Sequence, residues 1–193
     1  MFESYATAMQ SVIADITYNV DEFSYIDPDQ IIVNFKKARE TANEEVWAEI
    51  TGLSDDDHGS VQQREGRVEM FYYSNSLLFN GTPVKYIIDF YVPLFFNLTF
   101  KDKLTTIFHE LYHISPRFDG ELRLFKGKAY QHGPSMEKYD RYMEYLVDKY
   151  LLRSPEAADF LKSNKEELAQ KVRDTKIPRM PKPEPLLFRI TWC

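Results

Sequence analysis

With 193 residues, of which 44% are hydrophobic and 15% aromatic, the chain can bury one sizeable core, which excludes a disordered polypeptide and argues for one domain plus a tail. A net charge of −6 provides no basic face for a phosphate backbone, so no nucleic-acid partner is expected for this chain alone. Its single cysteine, Cys193, excludes an internal disulfide and limits any metal site to His, Asp or Glu; without an export signal or an apolar run of membrane length, a cytoplasmic protein with no membrane partner is expected.

Residues 2–16 place Phe2, Ala6, Met9, Val12, Ile13 and Ile16 at helical spacing, which predicts a first helix with one buried face. Turn chemistry from Val20 to Gln30 precedes "IIVNF" at 31–35, β-branched and short enough for a buried strand. "EVWAEITGL" at 45–53 alternates as a half-buried strand does, "SDDDHGS" at 54–60 has loop composition, and "RVEMFYY" at 67–73 alternates again. Asn80-Gly81 predicts a tight hairpin turn, because both residues tolerate positive φ. It leads into "VKYIIDFYV" at 84–92, where Val84, Tyr86, Ile88, Phe90 and Val92 share a face.

A helix is expected to open near Thr99, where "TFKD" has capping-box spacing. Ser135 can cap another, with Met136, Tyr139, Met143, Leu146 and Tyr150 at three- and four-residue steps. Ser154-Pro155 reads as the start of a polar helix to about Val172. "IPRMPKPEP" at 177–185 carries four prolines and favours an extended spacer to the apolar "LLFRITWC". Strands before residue 92 and helices after it predict an α+β fold, with residues 1–172 as one domain and 173–193 as a proline-rich tail.

The chain has four histidines, and two of them, His109 and His113, flank Glu110 in "HELYH" on the helix after Thr99. At about 100° per residue they lie about 40° apart, opposite Leu104, Ile107, Phe108 and Leu111, so both imidazoles are expected to leave the core together. Two imidazoles one turn apart can bind one Zn²⁺, while the flanking carboxylate reaches a water on the metal rather than the metal itself. A catalytic zinc needs a third protein ligand. His132 in "YQHGPS" is preferred, since a histidine in a short connecting loop is rarer than a solvated acid. Asp140 and Glu144 on the next helix are its rivals, Asp119 and Glu121 in the loop are further candidates, and His58 in its acidic loop reads as solvated.

"HELYHISPRFDGELRLFKGKAYQHG", with "IDPDQIIVNFKKAR" upstream, resembles the putative phage metallopeptidase family, itself similar to SprT-like zinc peptidases. The resemblance spans roughly residues 20–150 and rests on His109-Glu110-x-x-His113, "SPRFDG" at 115–120 and His132-Gly133. In SprT-like proteins a His-Gly pair about twenty residues past the motif supplies the third ligand, and His132 occupies that place. The resemblance implies a zincin-like fold, in which a small sheet packs on an N-terminal helix and the motif-bearing helix, followed by C-terminal helices. It also implies a Zn²⁺ cofactor and the cytoplasm of a host cell. The cysteine-rich and basic DNA-binding modules of many SprT-like relatives have no counterpart here.

The expected activity is hydrolysis of peptide bonds in a restricted protein or peptide substrate, with Glu110 activating a zinc-bound water. Tyr112, Arg117 and Tyr130 are candidate oxyanion donors by nearness in sequence alone. "VKYIIDFYV" is read either as a sheet edge beside the site that receives an extended peptide or as buried core. Asp119 in "SPRFDG" is read as a turn former, with orientation of a ligand histidine as the other option. The alternative function is a non-catalytic zinc-binding interaction protein, and "PKPEPLLFRITW" offers a partner-binding segment.

Overall fold

The computed structural model describes residues 5–37, 46–54, 58–64, 67–74, 77–79, 81–124, 136–162 and 186–191. The first helix, α1, spans Tyr5–Asn19 and buries Tyr5, Met9, Val12, Ile13 and Ile16, the helical stripe its spacing predicts, and runs three residues past the predicted end. The turn segment from Val20 to Gln30 winds into two short 3₁₀ turns, the second capped by the Asp27 carboxylate accepting from the Asp29 N–H.

Strand β1 spans Ile31–Lys37, β2 Ala48–Gly52, β3 His58–Arg64, β4 Arg67–Ser74, β5 Leu77–Phe79, β6 Thr82–Val84 and β7 Tyr86–Val92. The loop reading of residues 54–60 is corrected in part: 58–60 open β3, because pairing with β4 from Tyr73 to Phe71 outweighs a loop-like composition. Strands β5 and β6 pair antiparallel from Leu77↔Val84 to Phe79↔Thr82 with Gly81 at φ +83°, Asn80 lying outside the described residues, and residues 84–92 are split between β6 and β7 with Lys85 between them.

Strand β7 lies in the middle of a three-stranded sheet, parallel to β1 on one side and antiparallel to β2 on the other. Of the two readings of "VKYIIDFYV", buried core is the one found, and the edge beside the motif-bearing helix belongs to β2. Tyr86, Ile88 and Phe90 point into the core, and the intervening Asp89 is itself only 3% exposed, held by Asn34 Nδ2 at 2.7 Å and Lys36 Nζ at 2.6 Å.

A short helix, α2, spans Leu94–Asn97, and α3 spans Phe100–Tyr112. The Thr99 hydroxyl accepts the Asp102 N–H at 3.2 Å, so the predicted cap is formed. Helix α4 spans Met136–Leu151 and buries Tyr139, Met143, Leu146, Val147 and Tyr150. The polar helix expected from Ser154 to about Val172 is a 3₁₀ segment over Glu156–Lys162, and residues from 163 to 172 lie outside the described ones. Its start is held by Ser154 at φ +50°, which is outside helical geometry. Strand β8, Leu186–Thr191, pairs antiparallel with β4, so "LLFRIT" finds its place in a second sheet of order β3-β4-β8.

One core unites α1, α3 and α4 with the inner face of the β1-β7-β2 sheet. Aromatic rings knit it: Phe23 against Phe108 at 5.4 Å, Phe108 against Tyr150 at 5.6 Å, and Phe90 against Phe95 at 4.6 Å between centroids. Among the described residues no helix is long and apolar enough to cross a membrane.

Candidate active site

Helix α3 buries Leu104, Ile107, Phe108 and Leu111 and thereby turns a second face, bearing His109 and Glu110, toward α4 and the edge of β2. His113 stands at its C-cap in helical conformation, φ −71° and ψ −15°, so the one-turn spacing from His109 is kept. The two imidazole centroids are 4.8 Å apart with ring planes at 71°.

The expectation that both imidazoles leave the core is corrected. His113 is 8% exposed and His109 only partly exposed, because α4 lays Tyr139 across them. The Tyr139 ring meets His109 edge-on at 4.9 Å and lies nearly parallel to His113 at 6.0 Å. Sequence reasoning assigned Tyr139 to the apolar stripe of α4; what that spacing could not show is that the stripe ends against the histidines.

Glu110 is buried beside β2, where the Ile50 amide donates to its carboxylate. Burial pushes its carboxyl from the ordinary value of 4.5 up to about 8, the Glu49 carboxylate pushes the same way, and the Ile50 hydrogen bond opposes both. A carboxyl so tuned exchanges protons near neutral pH.

The segment after His113 folds back on itself. His113 O accepts the Arg123 N–H at 2.6 Å, Glu121 O accepts the Ser115 N–H at 3.1 Å, and Phe118 N–H donates to Ser115 O at 2.8 Å. Asp119 takes part in this turn, with Oδ1 accepting the Glu121 N–H at 3.2 Å and Oδ2 2.6 Å from Arg117 Nε. Of its two readings, turn former is the one the geometry supports. Tyr86 reaches up from β7, accepting the Gly120 N–H at 3.0 Å and donating to Glu121 O at 2.8 Å.

Among the oxyanion candidates, Arg117 is committed to Asp119 and Glu121, and Tyr112 lies under the Arg123 guanidinium at 4.1 Å. Tyr130 and His132 lie outside the described residues, and of His58 only the backbone is described. Asp140 and Glu144 sit on the exposed side of α4. Among the described residues no group of three or more His, Cys, Asp or Glu gathers as a metal site. Two imidazoles one helical turn apart, with a buried carboxyl beside them, are a donor set suited to a zinc-type ion.

No curated protein and no solved structure matches this chain. A family model described as "Putative phage metallopeptidase" matches residues 3–144, which takes in α1, the β1-β7-β2 sheet, α3 and the first half of α4. A metallopeptidase family implies a bound metal and a protein or peptide substrate. The chain belongs to the putative phage metallopeptidase family.

Proposed function

We propose that the chain is a zinc-dependent peptidase of zincin type, similar to the SprT-like peptidases, with His109, His113 and His132 as ligands and Glu110 as general base. The observation that carries this reading is the pair of imidazoles 4.8 Å apart on the helix whose buried Glu110 carboxyl is bonded to the β2 edge at Ile50. For the third ligand we choose His132, which follows His113 by nineteen residues in the place that a His-Gly pair holds in SprT-like peptidases, with Asp140 and Glu144 of α4 as its rivals.

Bound at these residues, Zn²⁺ would supply the Lewis acidity that activates water and polarises a scissile carbonyl. Glu110 takes the proton of the attacking water and returns it to the departing amine. The β2 edge offers a rail for the substrate. Trp47 O accepts from Tyr91 of β7 and the Leu53 N–H donates to Lys85 O just before it, so Ala48, Ile50 and Gly52 turn their backbone groups outward, and at Ile50 that edge meets Glu110. An extended peptide added there would carry its backbone past the general base.

Zinc per chain, measured after mild chelation and controlled return of zinc, tests the ligands: one zinc in the wild type and weakened uptake in H132A are expected. Zinc kept by H132A would move the third ligand to Asp140 or Glu144, and none in the wild type would overturn the reading. Catalysis is tested by new peptide termini in a denatured proteome incubated with the zinc-loaded chain. E110Q should keep its zinc and lose at least about a hundredfold in cleavage rate. Equal cleavage by both proteins would remove Glu110 from its role.

A further inference from the structure

We propose that Tyr139 is a positioning residue that sets the orientation of both metal-binding imidazoles, so that metal affinity is governed by α4 as well as by α3. This rests on the reading of His109 and His113 as ligands.

An imidazole on a helix surface turns about two torsions, and a ligand must present one nitrogen in one direction, so something has to hold the ring. The Tyr139 ring lies against both imidazoles. Tyr139 is 6% exposed, stands at 68° to the His109 ring at 4.9 Å and at 25° to the His113 ring at 6.0 Å, and so fixes their mutual angle of 71°. Tyr139 is itself held, since Tyr112 backs it edge-on at 5.5 Å and its hydroxyl donates to His109 O at 3.3 Å. The His113 N–H bonds to Glu110 O at 3.1 Å as the last turn of α3 tightens. The ring thus orients the imidazoles, and the hydroxyl ties α4 to the helix end that carries them.

The test compares Y139M, which keeps bulk without a ring, with Y139F, which keeps the ring without the hydroxyl. M143A is the control, removing a fully buried side chain one turn further along α4. Zinc affinity is read by chelator competition and site geometry by the visible spectrum of bound Co²⁺. Y139M is expected to bind zinc about tenfold to a hundredfold more weakly with an altered Co²⁺ spectrum, while Y139F stays close to wild type. M143A should lower the melting temperature without moving the affinity. Wild-type affinity in Y139M, or equal weakening in M143A, would overturn the proposal. Imidazole proton resonances of the chelated wild type decide independently of any variant: resolved lines shifted by a neighbouring ring are expected, and random-coil positions would overturn the proposal. A wild type that takes up no zinc removes the ligand reading with it. A wild type whose zinc depends on His109 but not on Tyr139 removes this inference alone.

Discussion

Among the described residues, the Glu110 carboxyl carries the clearest pH signature near neutrality. In the metal-free fold it releases its proton at about 8, against 4.5 for the ordinary group, so between those values the folded state binds the extra proton. Its contribution to stability is therefore fully present below about 4.5 and is lost as pH rises through about 8. With chelator present, urea unfolding at a series of pH values should show stability falling across this window, by at most about 1.4 kcal/mol per pH unit from this group. E110Q, which has no proton to release, should flatten the slope. Parallel slopes in the two proteins would mean that the carboxyl is not desolvated. Zinc on the adjacent histidines should also flatten it, because a nearby cation favours the carboxylate.

Among the elements, the "SPRFDG" turn does the least visible structural work. It closes the Gly52 end of the β2 edge, where a Cβ on Gly52 would come within 2.2 Å of Gly120 O and one on Gly120, at φ +84°, within 2.3 Å of Leu53 O. G120A combines backbone strain with a backbone collision and should cost about 3 kcal/mol in chemical denaturation. G81A, at φ +83° in the β5-β6 turn with nothing within 4 Å, meets strain alone and should cost about 1 kcal/mol. Equal losses would show that the turn does not press on β2. Such contacts mark the limit of what could be read from the chain. The α3 cap at Thr99, the burial stripe of α1 and the positive φ of Gly81 between β5 and β6 depend on near neighbours, and all were legible. That β2 rather than the residues 84–92 forms the edge beside α3, and that Tyr139 reaches His109 and His113, depend on pairings across dozens of residues that local periodicity does not encode. The loop reading of residues 58–60 failed for a related reason, since their acidic neighbours have loop composition while the strand is defined by pairing with β4.

At the scale of the whole molecule, the family match ends at residue 144, yet the second sheet is completed from beyond it, by β8. Strand β8 pairs with β4 from Ser74↔Leu186 to Glu69↔Thr191, covering a β4 edge that would otherwise present unpaired amides and carbonyls. The zinc ligands proposed above all lie within the matched segment, on α3 and in the α3-α4 connection, and none is on either strand. Removing residues 186–193 should therefore separate two properties. Zinc stoichiometry and affinity should stay at wild-type values, because the site is built on the β1-β7-β2 side of the fold. The melting temperature should fall, and the truncated chain should self-associate in a concentration-dependent way, measurable by light scattering, because the bared β4 edge is a template for another strand. A truncated chain that melts and scatters like the full-length protein would mean that β8 contributes no cover to β4. One that also loses its zinc would mean that the second sheet supports the metal site, and the two sheets would then have to be treated as one cooperative unit.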